Sequence, residues 1–240
     1  MKDATEEIQR FLESIPDKFE ILEEKIDLQI QKEYIDYSEN FDRGELSEKE
    51  TLQLSEILFK NDIPLEAKKK GLTILAHTRT VLAFRQIEKY YNNPDKELKQ
   101  WSALALQECK MFLESELTDL STGFISTGLG GLINKLRYYY LILPSSEKGF
   151  DTTQNNIIKD EFNIIANELD SLIETIEYSE KFIEFKVLVP LDIAIGNLIE
   201  TGINRCNELG NYVFEHYYVT NQDIPDREEI KEIIRIVRDE

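Results

Sequence analysis

The residues with most chemistry to offer crowd one stretch of this 240-residue chain, STGFISTGLGGLINKLRYYYLILP from Ser121 to Pro144. It holds four of the ten glycines, and no acid interrupts residues 120 to 146. Glycine-rich backbone turns N–H groups toward anions, and Ser126, Thr127, Asn134, Lys135 and Arg137 would add hydroxyls, an amide and two cations. These five residues are the candidate ligand-binding set, suited to an anion or a carboxylate. The spacing excludes the two common nucleotide loops. A Walker loop ends in Gly-Lys-Ser/Thr, and here Lys135 follows Asn134. A dinucleotide loop needs a third glycine where Ile133 stands, and a strand before it rather than after. The alternative is a joint between domains, with glycines at positive φ and apolar residues entering a sheet.

Other reactive types are scattered. His77 lies in an apolar helical pattern and His216 in a strand pattern, neither with a Cys, His or Ser at motif spacing, so both read as structural. Cys109 and Cys206 stand singly, which gives neither a zinc site nor a disulfide framework and points to a reducing compartment. Asp151, Asp192 and Asp223 follow expected strands and would converge on a metal if those strands were parallel. Acids after strands are also ordinary helix caps, as Asp151, Asp192 and Asp226 read here. Lys68 to Lys70 reads as a solvated helix face, and Trp101 as a packing position. No catalytic residue, metal site or cofactor is assigned.

Charge narrows the classes. A net charge of −19 argues against nucleic acid as a partner, because phosphate contact depends on Lys and Arg. The charge is segregated: residues 1 to 59 carry −10, residues 60 to 146 carry +3, and residues 147 to 240 carry −12. The basic middle is either neutralised by the acidic arms or kept for an acidic protein partner. The acidic N-terminus lacks an apolar leader and no window approaches a membrane span, so the expectation is a cytoplasmic chain without membrane contact.

Stepping outward from these residues, apolar positions recur at three and four up to about Leu117: Ile8, Phe11, Leu12 and Ile15; Phe19, Leu22 and Ile26; Leu52, Leu54, Ile57 and Leu58. This predicts an all-helical part over 1–118, about five helices with breaks near Pro16, Gly44, Pro64 and Pro94. A glycine-rich joint at 119–134 follows. Beyond it, KLRYYYLIL, KFIEFKVLV and YVFEHYYVT read as three strands. Helical patterns through Ile158 to Ile176, through Ile195 to Cys206, and from Glu228 to Arg238 alternate with them. The expectation over 135–240 is a small α/β domain with parallel neighbours, in the order β-α-β-α-β-α. The whole chain is α+β.

One resemblance rests on two prolines. IPLEAKKKGLTILAH from Ile63 and NPDKELKQWSALALQ from Asn93 superpose on Pro64 and Pro94 at an offset of 30 residues. Proline suits the first position of a helix, and the small and apolar run behind it suits close packing. The segment 46–115 therefore resembles HEAT or armadillo-type helical repeats, with 77–92 and 94–115 as one helix pair. That resemblance implies a curved scaffold for protein contacts. Together with the charge segregation it gives a noncatalytic intracellular interaction or adaptor protein as the leading reading. The alternative is a small-molecule- or metal-dependent enzyme, or a ligand-binding domain, in the C-terminal half.

Overall fold

A computed structural model gives the fold and describes residues 16, 18–40 and 46–239. The expected helix through Ile8, Phe11, Leu12 and Ile15 and the break at Gly44 lie outside the described residues. The chain divides into two compact units, residues 1–126 and 127–240.

The first unit is mainly helical. It contains β1 (Lys18–Ile21), α1 (Leu28–Glu39), α2 (Glu48–Glu56), α3 (Leu65–His77), α4 (Val81–Tyr91), α5 (Lys99–Thr118) and β2 (Thr122–Ile125), with short 3-10 turns at Ile57–Phe59 and Lys96–Leu98. Local chemistry sets the helix starts. The Asp27 carboxylate accepts from the N–H groups of Gln29 and Ile30, Ser47 and Glu50 form a capping box, and Thr80 accepts from Ala83 N–H. Trp101 of α5 is buried at the centre, with the rings of Tyr34 and Tyr37 edge-on at 5.1 and 5.5 Å.

Two expectations change here. The spacing of Phe19, Leu22 and Ile26 predicts a helix, yet residues 18–21 form a strand paired in parallel with β2, Lys18 opposite Thr122 and Ile21 opposite Ile125. In that strand Phe19 is exposed and Ile21 buried. The match of Pro64 to Pro94, which carries the resemblance to HEAT or armadillo repeats, is also lost. Pro64 is the residue immediately before α3, whereas Pro94 leads into a 3-10 turn and α5 starts only at Lys99. The two helices run for 13 and 20 residues and are not copies of one unit.

The second unit is built on an antiparallel sheet. It contains β3 (Gly131–Leu132), β4 (Lys135–Pro144), α6 (Thr152–Glu168), β5 (Leu172–Tyr178), β6 (Ile183–Pro190), α7 (Ile195–Glu208), β7 (Val213–Thr220) and α8 (Arg227–Asp239). Strand β4 pairs with β6 along one side and with β3 and β7 along the other, and β5 lies outside β6. From β4 to β7 the order is β-α-β-β-α-β with antiparallel neighbours, the split βαβ arrangement of ferredoxin-like folds. Alternate residues of β4 serve two cores. Tyr140 and Ile142 join Ile158, Phe162 and Ile199, while Tyr139, Leu141 and Leu143 join Ile230 and Val237 of α8.

The α+β class therefore holds, but the sheet has five strands rather than three and its neighbours are antiparallel rather than parallel. The missing elements are the two-residue β3 and the longer β5, and β5 is the one that changes the topology. Leu169, Leu172 and Ile176 continue the helical spacing of Ile158, Phe162 and Ile165, but Asp170 turns at a φ of 47° and ends the helix, so LIETIEY runs as a strand. Among the described residues no helix is long and apolar enough to cross a membrane.

Candidate functional site

The structure spreads the sequence-predicted ligand set over separate tasks. Asn134 and Ile133, at φ of 61° and 46°, form the tight turn between β3 and β4. Lys135 pairs with Asp170 at 2.9 Å and donates to its backbone carbonyl. Arg137 donates two N–H groups to Glu174, at 2.6 and 2.8 Å, and a third to the Leu129 carbonyl at 2.9 Å. Thr127 is buried and its hydroxyl donates to the Gly130 carbonyl at 3.2 Å. Asn134, Lys135 and Arg137 thus share one hairpin, while Ser126 ends the first unit and lines a cleft there.

The acids behind the strands do not gather. Strand β4 runs against both β6 and β7, so Asp151 follows a strand end opposite to those that precede Asp192 and Asp223. Asp151 and Asp226 are caps, whereas Asp192 is not: the residue before α7 is Ala194 and makes no side-chain cap. Among the described residues no three His, Cys, Asp or Glu side chains group as metal ligands would. The Lys68 to Lys70 run is only partly a solvated face. Lys68 is 3% exposed and meets Asp95 at 2.5 Å, and Tyr90 donates to the same carboxylate at 2.6 Å.

The first unit holds a polar cluster that the sequence reading missed. Tyr34 and Ser38 lie four apart on α1, one turn from each other; His77 is the last residue of α3; Glu108 lies on α5. Tyr34 donates to Glu108 Oε2 at 2.7 Å and Ser38 donates to Oε1 at 2.7 Å. His77 Nε2 lies 2.9 Å from the Ser38 hydroxyl and 3.3 Å from Glu108 Oε2. Burial and then the adjacent Glu108 carboxylate push the Tyr34 hydroxyl well above its ordinary pKa, so it stays a donor. His77 is thus tied to a Ser after all, 39 residues away in sequence.

This cluster opens on a cleft of about 450 Å³, lined by Tyr34, Ser38 and Glu108 and by the apolar Phe19, Ile35, Leu104 and Phe124. Its composition resembles a hydrolytic triad but its geometry does not. In a triad one histidine nitrogen takes the serine proton while the other donates to the acid. Here Glu108 and Ser38 both approach Nε2, the serine proton is donated to Glu108, and Nδ1 is buried with no hydrogen-bond partner among the described residues. A buried carboxylate that accepts from Tyr34 and Ser38 at the edge of a cleft can anchor a further donor from a bound molecule.

No family model matches the sequence, and no curated protein matches it either. Solved structures do show similarity. A REP-associated tyrosine transposase bound to a REP hairpin matches at a TM-score of 0.34 and 8% identity, over 44% of this chain and 66% of that one, just under two thirds of its length. A candidate transposase from Deinococcus radiodurans matches at a TM-score of 0.35 and 13% identity, over 45% of this chain and 93% of that one. These similar structures are described as transposases and not as helical repeats, and the resemblance to HEAT or armadillo repeats, already lost with the Pro64 and Pro94 match, is set aside. They name transposases, one of them bound to a REP hairpin, where the sequence reading expects a noncatalytic adaptor with an acidic protein partner and no nucleic acid, and those expectations are not carried further.

Proposed function

We propose that the first unit binds a small organic molecule that carries a cationic or hydrogen-bond-donating head on an apolar body. The observation that carries this reading is Glu108, a carboxylate only 8% exposed in the wall of a mainly apolar cleft. Burying a charge costs several kcal/mol unless hydrogen bonds surround it, and here Tyr34 and Ser38 of α1 supply them. Tyr34 and Ser38 donate to the carboxylate and His77 Nε2 lies 3.3 Å from it, which leaves lone-pair positions for a donor from a ligand. The described residues lining the cleft include a second acid, Glu39, and no Lys or Arg, so an anionic ligand is disfavoured.

The volume suits a molecule of modest size, since ligand cavities run from about 300 to 1,000 Å³. Phe19, Leu104 and Phe124 would enclose its apolar body while Ser38 and Glu108 fix the head. The ligand-binding alternative that the sequence places in the C-terminal half thus moves to the helical unit. Free, buried Cys109 and Cys206 support a reducing compartment, the cytoplasm, as the place of action. The test is a melting-temperature screen of the full chain against aryl-alkyl amines and matched alcohols and carboxylates. Amines should raise the melting temperature and carboxylates should not; a rise confined to carboxylates would overturn the reading.

A further inference from the structure

The cleft of the first unit has a histidine behind its acid, and the hydrogen bonds fix where that histidine carries its protons. The single hydrogen of the Ser38 hydroxyl goes to Glu108 Oε1 at 2.7 Å, so the 2.9 Å contact between Ser38 Oγ and His77 Nε2 needs its hydrogen on Nε2. The same Nε2 lies 3.3 Å from Glu108 Oε2. Nε2 therefore bears hydrogen in both charge states of the ring, and the charge changes by uptake or loss of a proton at Nδ1. Nδ1 is buried with no hydrogen-bond partner among the described residues, so an N–H formed there finds no acceptor. What holds a charged ring is the Glu108 carboxylate.

The other groups around the ring leave that balance to Glu108. On α1, Tyr34 keeps its proton, because burial and the adjacent carboxylate push its hydroxyl well above the usual range, and Glu39 stands at the exposed rim of the cleft. On α5, burial pushes the Cys109 thiol up to about 12, so it stays neutral. Phe112 lies edge-on to the imidazole at 5.2 Å, and Arg79, over the same ring at 4.7 Å, is paired with Glu116 at 3.3 Å.

We infer that His77 and the cationic head of a ligand compete for Glu108, so that binding expels a proton from His77. This rests on the proposed reading of the cleft and gives that site a regulator. With the carboxylate unshared, an imidazolium 3.3 Å away has its counter-charge; once an ammonium shares the carboxylate, the ring faces a like charge with an N–H that has no acceptor, and it releases the proton. Linkage is reciprocal, so a proton on His77 weakens the ligand by the same factor. Affinity for an amine should then fall as pH drops through the range in which histidines take up a proton, about pH 8 to pH 5.

Calorimetry of the full chain with one amine from the melting screen, run near pH 6.5 in two buffers of different ionisation heat, counts the protons exchanged. The parent should release a fraction of a proton per amine bound and lose at least about fivefold in affinity between about pH 8 and pH 5.5. His77→Gln keeps an N–H for Ser38 but takes up no proton; it should release none and lose less than about twofold. In the parent, nuclear magnetic resonance should show the His77 ring signals moving toward the neutral imidazole as amine is added, while those of the second histidine, His216, stay in place. Amine binding without proton release, release of the same size from His77→Gln, or His77 signals that do not move would each overturn the inference and leave the small-molecule reading standing. No amine binding at any pH would overturn both.

Discussion

The two units handle polarity in opposite ways. In the first, charged Lys68 and Glu108 are both buried, and each is held by named partners on other elements. In the second, the buried polar residues among those described are Thr127 and Ser171, and the core around Tyr140, Phe162 and Phe185 is mainly apolar, with the hydroxyls of Tyr140 and Tyr212 inside or against it. Apolar cores specify shape at the lowest cost in desolvation, whereas buried charges require matched donors and acceptors and are tolerated where something is bound or where one register must be enforced. The difference is what favours the first unit as the place of the proposed small-molecule site, while the second packs around apolar cores.

Breaking the apolar core should have the largest effect. Phe162 lies against the rings of Tyr140 and Phe185 at 6.0 and 4.9 Å, so Phe162→Ala should cost about 3–5 kcal/mol in chemical denaturation. The loss should appear in the transition that reports the sheet. A smaller effect is expected from the buried ion pair of the first unit. Asp95→Asn leaves Lys68 buried without its carboxylate and should cost about 2–3 kcal/mol, and Lys68→Met on top of it should recover part of the loss, measured by the same denaturation.

The clamp between β1 and α5 sharpens the contrast through pH. Burial pushes the Glu20 carboxyl up, but hydrogen bonds from Lys110, Gln107 and Lys18 outweigh it and hold the pKa at about 2. A carboxyl lowered in the folded state contributes stability that is present above its unfolded pKa and is lost as pH falls toward the folded one. The first unit should therefore weaken between about pH 4.5 and pH 2, and Glu20→Gln should cost about 1–2 kcal/mol at neutral pH while flattening that acid dependence, as melting temperature against pH would record.

Much of this architecture is legible in the chain. Strands expected at 135–143, 181–189 and 212–220 are found at 135–144, 183–190 and 213–220, because runs such as IEFKVLVP combine β-branched and aromatic residues with alternation. LIETIEY was not legible, since its apolar positions fit a helix as well as a strand and only the left-handed Asp170 decides between them. With β5 missing, the crossovers read as parallel. The cleft was hidden for a different reason: Tyr34 and Ser38 are separated from Glu108 by 74 and 70 positions, and no spacing rule reaches that far. One signal was available. Glu108 lies on the buried stripe of Trp101, Leu104 and Ala105, a place where an acid needs an explanation.

The central claim is that Glu108 selects a cationic head within an apolar cleft. Calorimetric affinities of one amine found by the melting screen and of its matched alcohol, each measured on the parent chain and on Glu108→Gln, test it most directly. The account predicts that the parent favours the amine by about tenfold, a difference of about 1.4 kcal/mol, and that Glu108→Gln binds the two alike. A preference that survives in Glu108→Gln, or an alcohol that binds the parent as well as the amine does, would contradict it.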